Sequence, residues 1–311
     1  MAAPHRIDVH HQVTPPSLVT EKIRAGAGGG PTYGWTLQKT LDDMEQGDVR
    51  GVVISLPHPV DVWPNPKDTR GITREWNDYV AMLVHDHPGR FGQFAMLPIL
   101  DIEGSLREMD YAYDVLKADG INLMTNIGDK WLGDPYYDPI FEALNRRKAV
   151  VYTHPAVPHC TAGVLPEIRD AVIEFGTDTT RAIARMLFNG AAARYPDIQW
   201  IWSHAGGTAP FLTERLVRFA ATEKGMAARV PDGVLNYMKR FYYDTAQAAH
   251  PYALASLMRL VAITQVVFGT DFPWRSAAET AQQLKDYGFS ADELRAIDSG
   301  NVERLLPRWG R

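Results

Sequence analysis

Val150-Val151-Tyr152-Thr153-His154-Pro155 is an apolar run that stops at an imidazole and then at a proline. A near-continuous run of this kind suits a strand buried on both faces, as in a parallel sheet covered by helices. Proline ends it by denying the ladder a donor. Three other places repeat the arrangement. Asp8-Val9-His10-His11-Gln12 closes the first apolar run. Ser203-His204-Ala205-Gly206-Gly207 follows Ile201-Trp202, and Gly269-Thr270-Asp271 follows Val266-Val267-Phe268. If these runs are parallel neighbours, one end of the sheet gathers several ligand-type side chains.

Working outward from these four places gives eight short runs in all: Arg6–His10, Gly51–Ser55, Gln93–Leu97, Gly120–Met124, Ala149–Thr153, Ile198–Ser203, Phe241–Asp244 and Gln265–Gly269. Between them Leu37–Gln46, Trp76–His85, Leu106–Leu116, Tyr137–Arg147, Thr180–Arg194 and Phe211–Thr222 place apolar residues at helical spacing. Strand followed by helix, eight times over, predicts a (β/α)8 TIM barrel of class α/β, a single domain over residues 1–311. A doubly wound open sheet would use fewer strands and is the weaker reading. Two stretches read as loop insertions, about 25–35 and 57–71. The first is rich in glycine and carries no GxxxxGK pattern, so it reads as a flexible loop or lid. The second holds four prolines with His58, Asp61 and Trp63 and is placed to rim a pocket. Ala291–Arg311 reads as a closing helix.

Composition narrows the function classes. The chain has 311 residues and a formal net charge of −5, which provides no basic surface for a phosphate backbone, so nucleic acid is not an expected partner. No apolar span of membrane length and no signal-peptide pattern is present, and the one cysteine, Cys160, fits a reducing cytoplasm. Cys160 follows the His154 segment by a few residues. It reads either as a nucleophile or, more commonly for a lone thiol, as a bystander.

The strand-end residues carry the chemistry. A lone histidine there is usually structural, and a lone aspartate would be costly to bury without a metal or cation. Gathered on the loop face of one barrel, His10, His154, His204 and Asp271 become a candidate site. His10 and Gln12 lie two residues apart and share a face, while His11 points to the helices or solvent. Two imidazoles and a carboxylate suit Zn²⁺ with an open position for water, with Mn²⁺ or Mg²⁺ as further options. Gln12, a weak neutral donor for zinc, reads as a hydrogen-bond donor to substrate or bound water. Trp63 and Trp131, with Trp35 and Phe94, are candidate apolar walls for a ring.

These segments resemble the amidohydrolase superfamily, and within it the decarboxylase branch typified by aminocarboxymuconate-semialdehyde and γ-resorcylate decarboxylases. The similarity runs nearly end to end, through Arg90-Phe91-Gly92-Gln93-Phe94-Ala95, Gly133-Asp134-Pro135-Tyr136-Tyr137, Ser203-His204-Ala205-Gly206-Gly207 and Phe268-Gly269-Thr270-Asp271-Phe272-Pro273. Leu123-Met124-Thr125-Asn126 and Gly128–Asp134 are most similar to 6-methylsalicylate decarboxylase-like members. The resemblance implies His10, His154 and Asp271 as metal ligands and His204 as the acid/base beside them; proton delivery by Asp271 and proton delivery through His204 are the two alternatives. It implies a homodimer or homotetramer in which Arg215, eleven residues after His204, reaches the neighbouring subunit's substrate. Asp244 is implied as a hydrogen-bonding support. Gln12 departs from the common His-x-His, which leaves three protein ligands. The expected activity is metal-dependent, non-oxidative decarboxylation of a salicylate-like aromatic acid. The alternative is hydrolysis or hydration of a lactone, amide or unsaturated acid by a metal-activated water. A third reading is a barrel that binds a small acid without turning it over.

Overall fold

The computed structural model describes residues 5–18, 34–55, 69–128 and 130–310. In chain order the strands are β1 (Arg6–Gln12), β2 (Val49–Ser55), β3 (Phe91–Met96), β4 (Gly120–Met124), the short β5 (Asn126–Ile127) and β6 (Lys130–Trp131), then β7 (Val150–His154), β8 (Gln199–Trp202), β9 (Tyr242–Asp244) and β10 (Val266–Val267). β5 and β6 form an antiparallel hairpin. The other eight are parallel neighbours in the order β1-β2-β3-β4-β7-β8-β9-β10. Val9 N–H donates to Phe268 O at 3.0 Å, Asp271 N–H to His10 O at 2.9 Å and Gln12 N–H to Phe272 O at 2.9 Å, which joins β1 to the segment after β10 and closes the ring. The architecture is the eight-stranded barrel with surrounding helices that the strand count predicts.

Two cores hold it. The barrel interior is filled by Ile7, Val9, Val53, Phe94, Val150, Tyr152, Ile201 and Val267. Val302, Leu306 and Trp309 of the C-terminal segment belong to the same cluster and plug the end opposite the strand C-termini. Gly51 makes room for that plug, since a Cβ there would lie 2.1 Å from the Trp309 ring. The larger core lies between the strands and the helices, with Trp76, Phe141, Trp200, Trp202 and Tyr237 among its largest members.

The helices differ from the sequence expectation in places that have local causes. Thr69–Asp86 begins inside the stretch assigned to a proline-rich loop, with Thr69 and Thr73 buried. The expected Thr180–Arg194 is two helices, Ala171–Phe188 and Ala191–Arg194, broken where Gly190 takes φ 76°. The closing segment is a short helix Ala291–Arg295, a π turn over Ala296–Gly300, a helix Asn301–Leu305 and a final turn Pro307–Gly310, rather than one helix. Val234–Arg240, Pro251–Leu260 and Ala277–Tyr287 are helices that the periodicity did not announce. Most of the two proposed insertions, residues 25–33 and 57–68, lies outside the described residues. No described helix is long and apolar enough to cross a membrane.

Candidate metal centre

The first strand carries a bulge that aims the site. Asp8 pairs with Val52 and His11 with Ile54, so β1 spends one residue more than β2 over this interval. Ile7 and Val9 point into the barrel core, and strict alternation would send His11 after them. The extra residue instead turns His10 and Gln12 inward. Asp8 fixes the bulge: its carboxylate accepts from the backbone N–H of His10 at 2.9 Å and of Thr270 at 3.1 Å, and from the Thr270 hydroxyl at 2.7 Å. His11 faces the helices as expected. Its Nε2 meets the Thr40 hydroxyl at 3.0 Å, and its ring stacks on Phe272 at 4.3 Å.

At the same end of the barrel the other strands deliver His154, the last residue of β7, His204 just beyond β8, and Asp271 just beyond β10. One donor atom from each of His10, His154, His204 and Asp271 lies within 4.8 Å of every other. Asp271 divides its oxygens. Oδ1 lies 3.1 Å from His10 Nε2, and Oδ2 lies 3.5 Å from His204 Nε2 and accepts from Gln247 Nε2 at 3.1 Å. His204, Ala205 and Asp271 hold φ of 51°, 54° and 69°, a left-handed region that costs about 1–3 kcal/mol for each non-glycine residue. From this backbone the His204 and Asp271 side chains turn into the cluster. The glycines after His204 allow the close approach expected of them, for a Cβ on Gly207 would meet Gly176 O at 2.1 Å.

Asp244, the last residue of β9 and fully buried, ties these parts together. One oxygen accepts from the backbone N–H of His204 at 2.7 Å and of Ala246 at 3.1 Å. The other accepts from His10 Nδ1 at 2.8 Å and from the Tyr152 hydroxyl at 3.2 Å. Holding His10 by Nδ1–H leaves Nε2 for the cluster, the arrangement by which carboxylates orient metal-binding histidines. His154 is oriented in the same sense, with Nδ1 donating to Pro155 O at 2.9 Å.

The electrostatics are those of a cation site. Burial opposes charge on His10, but Asp244 and Asp271 outweigh it and push the imidazole up to about 10. Burial pushes His154 well down, with His10 and His204 adding to the effect. Burial alone would raise Asp271, yet His10 and His204 hold its carboxyl well below the usual range. The centre thus offers a neutral imidazole, an ionised carboxylate and an imidazole that keeps a proton only because two carboxylates face it. A divalent cation would satisfy the same carboxylates in place of that proton. The donor set therefore fits a divalent metal ion. A further sign is Gln12, 1% exposed, whose Oε1 is buried without a hydrogen-bond partner.

Of the other residues singled out in the sequence, Trp131 is half-buried on the β5–β6 hairpin. Its Nε1 donates to Asp178 at 2.6 Å, and Asp178 also accepts from the Ala156 N–H at 3.2 Å and from the Thr125 hydroxyl. It is thereby fastened to the loop after β7, not to the cluster itself. Arg215 is exposed on the helix Ala209–Thr222 and makes no ion pair with the cluster. Trp63 lies outside the described residues. Trp35 and Phe94 are buried in the two cores, and Cys160 is a free, exposed thiol. Sequence reasoning passed over Tyr152, although its place two residues before His154 on one strand face could have found it. It also passed over Phe175, whose ring stands edge-on to His154 at 5.7 Å, and Gln247, for which the sequence holds no signal.

With this geometry in view, the chain matches the amidohydrolase family over residues 7–308 and belongs to that family. It is 31% identical to a 6-methylsalicylic acid decarboxylase of Penicillium expansum, over 97% of this chain and 96% of that protein. The 5-carboxyvanillate decarboxylase of Sphingomonas paucimobilis superposes with a TM-score of 0.86 at 20% identity, covering 98% and 99% of the two chains. A dihydroxybenzoic acid decarboxylase from Polaromonas sp. JS666, solved with bound manganese and the inhibitor 2-nitroresorcinol, superposes at 0.83 with 21% identity and 97% coverage of both. The expectation of an enzyme from the decarboxylase branch of this superfamily stands with these relatives.

Proposed function

We propose that the protein is a metal-dependent, non-oxidative decarboxylase of a hydroxylated, salicylate-like aromatic acid. One observation carries the reading: His10, His154, His204 and Asp271 converge within 4.8 Å at the strand C-termini of a chain whose full-length relatives are decarboxylases. His10, His154 and Asp271 would hold the metal, which when bound would draw negative charge from the substrate's oxygens. His10 and His154 are kept in the ligating tautomer by Asp244 and Pro155 O. The couple of Asp271 and His204, whose Oδ2 and Nε2 lie 3.5 Å apart, holds the proton that is delivered to the ring carbon bearing the carboxylate. Loss of CO₂ then restores aromaticity. The Phe175 ring lies 6.3 Å from the His204 ring, tilted by 20°.

Two imidazoles and a carboxylate suit Zn²⁺, and the same donors accept Mn²⁺ or Mg²⁺. The free, exposed Cys160 fits a cytoplasmic protein. Phe211 is 80% exposed one helical turn before Arg215, which supports a homodimer or homotetramer in which this helix meets a second copy. The test is CO₂ release from a panel of hydroxybenzoates, 6-methylsalicylate included, by the metal-loaded protein and by His204→Ala. Release by the first and its loss of at least about 100-fold in the second are expected, the usual weight of a positioned acid or base. No release from any acid, with turnover of a lactone instead, would overturn the decarboxylase reading in favour of hydrolysis.

A further inference from the structure

Gln12 is the residue that departs from the family pattern, and its terminal amide does not stand aside from the cluster. Its Nε2 lies 2.7 Å from Asp271 Oδ1, 3.1 Å from His154 Nε2 and 3.3 Å from His10 Nε2. His10 Nε2 and Asp271 Oδ1 are themselves 3.1 Å apart. Four separations near 3 Å are what neighbouring ligand atoms show around a shared ion. With bonds of about 2.1 Å, adjacent donors on an octahedron are about 3.0 Å apart. On a tetrahedron with bonds of that length they are about 3.4 Å apart. The end of Gln12 therefore stands at the distance from these three atoms that a fourth donor to a shared ion would take.

An amide nitrogen is no ligand, and a half-turn about the last side-chain bond exchanges it with Oε1 without moving anything else. Without a metal the inward NH₂ is the sensible orientation, because Asp271 Oδ1 and the lone pair of His154 Nε2 both accept from it. Once those two atoms turn their lone pairs to a cation, the NH₂ loses both acceptors and the oxygen gains a partner. Oε1, now buried with none, is the atom freed to make that contact.

We propose that Gln12 is a metal ligand through Oε1, and that this amide oxygen in place of an imidazole biases the centre toward a hard, octahedral ion such as Mn²⁺ or Mg²⁺ over Zn²⁺. The inference rests on the reading of His10, His154 and Asp271 as metal ligands. Carbonyl and carboxylate oxygens suit the harder ions, and imidazole suits zinc.

The test is equilibrium dialysis of the full-length, metal-stripped protein against Mn²⁺ and Zn²⁺, separately and in competition, with bound metal read by elemental analysis. Gln12→Ala is expected to weaken Mn²⁺ binding by at least about tenfold, the lower end of what loss of a supporting contact costs a metal site. Gln12→His is expected to raise the ratio of Zn²⁺ to Mn²⁺ affinity by at least about tenfold. Gln12→Glu, of nearly the same volume and so the variant least able to disturb folding, is expected to hold Mn²⁺ as tightly as the wild type or tighter, since its oxygen falls where the amide oxygen is placed. If Gln12→Ala binds Mn²⁺ within twofold of the wild type, or more tightly, the amide is not a ligand and the proposal fails while the metal centre stands. If Gln12→Glu loses Mn²⁺ by tenfold with its circular dichroism unchanged, the NH₂ belongs inward and the proposal fails in the same way. A wild type that holds neither ion overturns both this proposal and the reading on which it rests.

Discussion

Replacing Asp244 by asparagine is the sharpest probe of how the centre is held. The carboxylate takes four donors, two backbone N–H groups on one oxygen and His10 Nδ1 with the Tyr152 hydroxyl on the other. An amide can accept with only one end. The backbone donors of His204 and Ala246 cannot turn away, so the amide oxygen stays with them and the NH₂ faces His10. His10 then accepts at Nδ1 and carries its proton on Nε2, which removes the lone pair that the proposed metal would need. Loss of a carboxylate behind a ligating histidine weakens metal binding by about 10–100-fold, or about 1.4–2.7 kcal/mol. Because a donor also faces a donor until the tautomer shifts, the upper end is expected. Tyr152→Phe is the control: it removes one donor from the same oxygen and leaves His10 in place, so about threefold or less is expected. Titration calorimetry of the stripped proteins with Mn²⁺, alongside circular dichroism to show that each is folded, gives the comparison. An Asp244→Asn protein that binds the metal within twofold of the wild type would refute the assignment of His10 as a ligand held in this tautomer.

Other perturbations test the scaffold. A Cβ on Gly269 would lie 3.0 Å from the Cβ atoms of both Asp244 and His10, so Gly269→Ala is expected to cost about 1–3 kcal/mol in urea unfolding and to lower metal affinity with it. Trp309→Ala empties the plug beneath the barrel and is expected to cost about 3–5 kcal/mol, while the folded variant, read by elemental analysis, keeps its metal at the far end. Burial raises the carboxyl of Asp43, beside the Ala277 N–H, from 3.8 to about 6. That group's contribution to stability is complete below pH 3.8 and is lost as the pH rises through 6. Asp43→Asn lacks this dependence, so the difference between variant and wild type should move toward the variant by about 2 kcal/mol between pH 4 and pH 7, and unfolding midpoints that move in parallel would count against it.

The barrel was legible because its strands are short, β-branched or aromatic, and stopped by polar residues at one end. The same punctuation that set the strand boundaries also exposed His10, His154, His204 and Asp271. Elements without an apolar stripe were not legible. Ala277–Tyr287 buries Ala277, Thr280, Ala281 and Leu284, and three of those four side chains are too small to register as hydrophobic periodicity. Gln247 reaches Asp271 from a loop position with φ 54°, a placement made by tertiary structure alone. Arg215 was named by resemblance, and a single chain leaves it on the surface.

The first strand shows the most instructive gap. Alternation puts His10 and Gln12 on one face and His11 on the helix side, which is correct, but it gives no account of Ile7 and Val9, which claim the interior with the opposite parity. A one-residue slip reverses every side chain beyond it. Only the bulge between Asp8 and His11 lets β1 fill the core with one parity and the centre with the other. The bulge is held by Asp8, whose carboxylate closes on His10 N–H and on Thr270 across the barrel seam, immediately before Asp271. Asp8 thus sets the positions of two residues of the cluster, His10 and Asp271, at once. Its register also brings the end of Gln12 within 3.3 Å of His10 Nε2, His154 Nε2 and Asp271 Oδ1. In an unbulged strand the position two residues after His10 would share His10's outward face, and the identity of the residue there would be of no consequence to the metal.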